Sequence, residues 1–182
     1  MLGCGGADFR EQIDGIGFIP NQNDLLARNS SVKVKKGVNY GFDTYICYMS
    51  PFWSFPENDK NMCPSSSDGC RSTCLVSSGM MSMCSPAQND KTRFFWADKN
   101  HSGWLNQAHR EIKSAEKSHS VGGSLHGNDF CVRLNGTSDI AWELLPYETP
   151  DGVMHESLMK TFPQVQFYDY TKIYSRLDNI KN

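Results

Sequence analysis

At 182 residues and 20.5 kDa, the chain has room for one domain with a hydrophobic core and too little for two independent ones. Its 38% apolar and 12% aromatic content excludes a disordered polymer, and a net charge of −2 leaves no basic footprint for strong electrostatic binding of nucleic acid. No stretch approaches the roughly 20 apolar residues of a membrane span, and no charged n-region with an apolar h-region opens the chain, so a soluble, unexported, cytoplasmic protein is expected.

Residues 1–40, rich in Gly, Asn and Asp, predict an irregular N-terminal arm, with Val32-Lys33-Val34-Lys35 as its only strand-like alternation. Residues 41–182 are expected to form a single α/β domain. Cys4, among glycines near the terminus, is assigned no role. Phe42–Met49 reads as a strand in which Cys47 is a small core hydrophobe. The aromatic segment Pro51-Phe52-Trp53-Ser54-Phe55-Pro56 then leads into a run of cysteines.

Four of the seven cysteines, Cys63, Cys70, Cys74 and Cys84, fall within 22 residues. In a reducing compartment such a group argues for metal binding or chemistry over disulfides. Cys63, Cys70 and Cys74 are separated by six and then three residues, in a Pro, Ser and Gly loop free to fold back around one centre. Cys70 and Cys74 suit one face of a first helical turn, where the helix N-terminus stabilises a thiolate. Three thiolates with an open fourth site suit an iron–sulfur cluster; four, with Cys84, suit a closed zinc (Zn) or cluster site. The spacing follows neither the zinc knuckle nor the standard ferredoxin run, and reduced, unligated thiols are the plainer alternative.

A helix is predicted over Lys91–Ser118, with Trp104, Leu105, Ala108, Ile112 and Ala115 at core spacing. Asn100-His101-Ser102-Gly103 offers a break into two helices, and Gly122-Gly123 a terminator. His109 and His119 read as solvated surface residues. Phe130–Leu134 reads as a strand, with Cys131 a second core thiol, ending in the polar run Asn135-Gly136-Thr137-Ser138-Asp139. A helix over Glu156–Phe162, a strand over Val165–Tyr170, then Thr171-Lys172 and a last helical stretch complete the chain.

The order strand, cysteine loop, helix, strand, helix, strand, helix predicts an α/β fold built on a small parallel sheet or a partial (β/α) barrel. Ligands of such folds bind beyond the carboxyl ends of the strands. The cysteine loop, residues 135–139 and Asp169-Tyr170-Thr171-Lys172 are therefore expected along one edge. There Asp139 and Asp169 offer acceptors, Arg133 and Lys172 anion contacts, and Gly136 close backbone approach. Asn135, Thr137, Ser138 and Tyr170 complete a polar small-molecule site. A turn followed by a helix N-cap would use the same letters from Asn135 to Asp139.

Three segments resemble the phage and plasmid family called gene product 88: Cys63-Pro64 through Cys74-Leu75, Val132-Arg133-Leu134-Asn135-Gly136-Thr137-Ser138-Asp139 through Glu143, and Phe162-Pro163-Gln164 through Lys172. The resemblance runs from about Leu25 to the C-terminus. It implies a bacteriophage or mobile-element origin, a bacterial host cytoplasm and a shared site, and it names no reaction. A weaker similarity is to radical S-adenosylmethionine enzymes, which carry a three-cysteine loop after the first strand of a partial barrel. It implies S-adenosylmethionine as a cofactor; the cysteine spacing departs from those enzymes, and their Gly-Gly-Glu motif is absent.

Two functional expectations result. In the first, the protein is a metalloprotein whose Cys63, Cys70 and Cys74 hold an iron–sulfur cluster beside a small-molecule site. In the second, it is a non-catalytic phage accessory protein, with structural zinc or no metal, that meets a host protein partner through Phe52 and Trp53. With no glycine-rich phosphate loop, Gly-x-Ser-x-Gly elbow or His-Glu-x-x-His helix, no reaction is assigned.

Overall fold

The computed structural model of the protein describes residues 24–51, 61–74 and 85–176. The chain enters through β1 (Leu26–Arg28) and α1 (Val32–Val38), then forms β2 (Phe42–Cys47). The irregular arm expected over residues 1–40 lies outside the described residues up to residue 23; from Leu25 onward it is part of the fold. Leu25 and Leu26 are buried, and their N–H groups, which face no strand, each donate to the Glu111 carboxylate at 2.8 Å. The Val-Lys alternation is a helix and not a strand. Ser31 caps it by accepting from Val34 N, and no residue of α1 is buried, so no sheet face exists to reward a period of two.

After α2 (Asp68–Ser72), the long helical region is divided into α3 (Ser85–Trp96) and α4 (Ser102–His119). The break arises from Asp98, whose carboxylate accepts from the N–H groups of Asn100, Ser102 and Gly103 at 2.9–3.0 Å. His101 holds the intervening left-handed conformation (φ 57°) and stacks on Phe95 at 3.9 Å between ring centroids. At the other end of α4 the chain turns out at Ser120 before Gly122 reaches positive φ.

β3 (Asp129–Arg133) follows, then a single 3-10 turn (Trp142–Leu144), a hairpin of β4 (Tyr147–Glu148) and β5 (Met154–His155), the four-residue α5 (Leu158–Thr161) and β6 (Gln166–Phe167). The main sheet has the order β1-β2-β3-β6. β2, β3 and β6 are parallel, with Thr44 opposite Cys131 and Cys131 opposite Gln166, and β1 is an antiparallel edge. This is an α/β fold on an open, mostly parallel sheet. Beyond Lys172 the described chain turns at Tyr174 and Ser175 and becomes helical at Arg176; the rest of the expected last helix lies outside the described residues.

The core lies between this sheet and α3 and α4. Trp104 and Trp142 stack at 4.5 Å, with Phe95 packed edge-on against both. Ile112, Val132, Leu134 and Leu158 fill the space around them at 1% exposure or less, each such side chain contributing about 1.5–3 kcal/mol by burial. His109 and His119, expected at the surface, are tied into the fold instead. The His119 side chain is 5% exposed and lies 3.6 Å from buried Asp43, while His109 pairs with the Tyr147 hydroxyl at 2.8 Å. Cys47 and Cys131 are core thiols. Burial pushes the Cys47 thiol up to about 12 and raises that of Cys131, so neither is a thiolate near neutral pH.

Candidate functional site

Beyond the carboxyl ends of the parallel strands lies a cavity of about 460 Å³. One wall is the cysteine loop, with Cys63, Cys70 and Cys74 alongside Ser66, Ser67 and Thr73. The other is the tail of β3, Gly136 to Asp139, with Tyr170 and Lys172 from the segment after β6. Residues distant in sequence thus meet because three parallel strands end on one edge.

The β3 tail is held by its own side chains. Asn135 is 1% exposed; its Oδ1 accepts from Ser138 Oγ, Ile140 N and Trp142 Nε1 at 2.8–3.0 Å, and its Nδ2 donates to the Ile140 carbonyl. Gly136 N donates to the Cys47 carbonyl at 2.9 Å, adding one rung to the parallel ladder. A Cβ at this position would lie 2.4 Å from that carbonyl oxygen, so the close approach that requires glycine is to β2. Thr137 Oγ1 accepts from Met49 N and donates to Met49 O.

The acidic residues are engaged in the same way. One Asp139 oxygen accepts from Lys172 N and the other from Arg176 Nη1, both at 2.9 Å. Arg176, which carries no signal in the sequence, also grips Glu143 through two nitrogens at 2.7 and 2.8 Å. Asp169 accepts from Asn135 N at 3.2 Å and lies 3.7 Å from Arg133 Nε. Burial raises its carboxyl to about 6 against the opposing pull of the Asn135 N–H and of Arg133. Arg133 in turn donates to the Asn135 carbonyl and lies 4.8 Å from the centre of the Tyr170 ring.

Of the nine expected ligand contacts, Arg133, Asn135 and Asp169 are not among the lining residues; they brace the loop. Gly136, Thr137, Ser138, Asp139, Tyr170 and Lys172 do line the cavity, but the Asp139 carboxylate and the Ser138 hydroxyl proton are already committed within the protein. Tyr170 and the Lys172 side chain remain the groups of this wall best placed to meet a ligand.

On the facing wall, Ser67 caps α2 by accepting from Cys70 N at 3.2 Å, which places Cys70 in the first helical turn. The helix ends at Ser72 with Thr73 as its cap, so Cys74 lies just past it, and both thiols line the cavity. The Cys63 thiol donates to the Thr137 carbonyl at 3.6 Å, tying the two walls together. The three thiols share one cavity, yet among the described residues no three His, Cys, Asp or Glu side chains converge on a metal position. Cys84, Phe52 and Trp53 lie outside the described residues. Among the described residues no helix is long and apolar enough to cross a membrane.

Residues 19–182 match the family model described as Gene product 88. Neither a curated protein nor a solved structure matches the chain, and the similarity to radical S-adenosylmethionine enzymes finds no support among these comparisons.

Proposed function

The chain belongs to the Gene product 88 family, and from that premise we propose that the cavity at the strand edge is its functional site, taking up an iron–sulfur cluster beside a small polar ligand. The observation that carries this reading is that Cys63, Cys70 and Cys74 line the same cavity as Gly136–Asp139, Tyr170 and Lys172. Because the thiols do not converge as they stand, cluster assembly requires the loop to draw in. Its Ser-rich turns, largely exposed and carrying local bonds such as that from Arg71 Nε to Ser66 Oγ, give it that freedom. A bound cluster with an open iron would supply Lewis-acid or electron-transfer chemistry. The chain's own part is to hold the ligand: the Lys172 ammonium faces an anionic group, and Tyr170, over Arg133, offers an aromatic surface.

Anaerobic reconstitution with iron and sulfide, followed by visible absorption and metal analysis, tests the reading. A brown protein containing iron and sulfide, whose colour is lost when Cys63, Cys70 and Cys74 are all changed to serine, is the expected result. Stoichiometric zinc instead would favour the non-catalytic accessory protein, and no metal at all would leave the cavity a thiol-lined pocket and overturn the cluster.

A further inference from the structure

A second cavity, sharing no residue with the first, lies between α4 and the β4–β5 hairpin. Asn106, His109, Arg110 and Lys113 fall at i, i+3, i+4 and i+7 along α4, so they form one stripe of the helix. The hairpin covers that stripe with Thr149, Asp151 and His155, enclosing about 350 Å³.

A hydrogen-bond chain behind the cavity fixes both imidazoles. The single Thr161 hydroxyl proton goes to the Ser157 carbonyl at 2.8 Å. The Thr161 oxygen therefore accepts from the Tyr147 hydroxyl at 3.1 Å and from His155 Nδ1 at 3.0 Å. With its own proton spent on Thr161, the Tyr147 oxygen accepts from His109 Nδ1 at 2.8 Å. Both histidines thus carry hydrogen on Nδ1; His155 Nε2 meets the Thr149 hydroxyl at 3.5 Å, while His109 Nε2 is left for a ligand or a proton. Their rings are 5.4 Å apart.

The charge around them is mostly positive. Burial lowers the His109 pKa first, and His155, Lys113 and Arg110 lower it further, while Asp151 on the hairpin turn opposes. Asp151, fully exposed and hydrogen-bonded by Thr149, is the resident counter-charge. Two permanent cations and the His109 imidazole, able to gain a proton, match a doubly charged tetrahedral anion.

We propose that this cavity binds a phosphate group, free or as a monoester, with Arg110 and Lys113 as fixed cations and His109 donating from Nε2 after taking up a proton from solvent. Affinity then rises as pH falls, because an anion favours the protonated His109 ring.

The test is histidine side-chain NMR on the full chain, titrated in parallel with inorganic phosphate and phenyl phosphate at about pH 6 and about pH 7.5. The expected result is movement of the His109 Nε2 signal toward the protonated form, with tighter binding at the lower pH. A response to phenyl phosphate alone identifies a monoester, and a response to both a bare phosphate. Lys113 is exposed, so Lys113→Gln keeps the fold and should weaken binding about tenfold, the loss of one charge-assisted contact; Asp151→Asn should tighten it. Unmoved imidazole signals at about 10 mM of either anion, well beyond the millimolar range of a weak site, would overturn the proposal. So would binding indifferent to Lys113→Gln, or zinc bound at both Nε2 atoms with no phosphate response.

Discussion

Gly136 shows how much one missing methyl group can carry. A Cβ there would meet the Cys47 carbonyl at 2.4 Å and Ile46 Cγ2 at 2.8 Å, and neither backbone nor packed core can give way cheaply. Gly136→Ala is expected to cost about 1–3 kcal/mol, read as a lower urea midpoint with an unchanged slope. Asn135→Leu should cost at least as much. It orphans Trp142 Nε1 and Ile140 N in the interior, at about 1–3 kcal/mol for each group left unpaired. Asp169 adds a pH dependence of known sign. Its carboxyl, raised from 3.8 to about 6 by burial, is held more comfortably protonated in the folded chain. Stability linked to it is therefore full below about pH 4 and lost as pH rises through about 6. Asp169→Asn should remove that part of the fall in chemical denaturation measured across this window. The letters Asn-Gly-Thr-Ser-Asp announced a turn, and the turn is there. What they did not disclose is that Asn135 and Asp139 spend themselves on the protein, because their partners Trp142 and Arg176 are brought in by later segments.

At the scale of elements, the division between α3 and α4 rests on Asp98. Removing its carboxylate frees three N–H groups at the start of α4, so Asp98→Ala should cost about 0.5–2 kcal/mol. It should also raise amide hydrogen exchange at Ser102 and Gly103 before the rest of the helix. The break itself was legible in Asn100–Gly103, but its cause was not. The cap reaches over a left-handed His101 from four residues before Ser102, outside the usual spacing of a cap. The alternation Val32-Lys33-Val34-Lys35 misled for a different reason. Four residues fit both a period of two and the start of a helix, and Ser31 decided between them. The strands Phe42–Cys47 and Asp129–Arg133 were legible from their aromatic, β-branched and thiol residues, Tyr45-Ile46-Cys47 and Phe130-Cys131-Val132; β6, two residues long, was legible only as part of a longer run.

Across the whole molecule, the parallel order of β2, β3 and β6 followed from the alternation of strand and helix, and it brings residues 63–74, 136–139 and 170–172 to one cavity. The clasp that closes this arrangement was invisible in sequence: Arg176 joins Asp139 and Glu143 across more than 30 residues of chain. Arg176→Met leaves two carboxylates facing each other without their cation, with an expected loss of about 3 kcal/mol in denaturant titration. Amide exchange at Lys172, bonded to Asp139, should rise in the same variant. The near-parallel indoles of Trp104 and Trp142, tilted by 16°, lend the molecule an optical property. The near-ultraviolet absorption and fluorescence of rings so close depend on how they pack, and Trp142 is bonded directly to Asn135 behind the cavity wall. The protein therefore carries a label-free gauge of its own loop, able to register any occupant that shifts the wall.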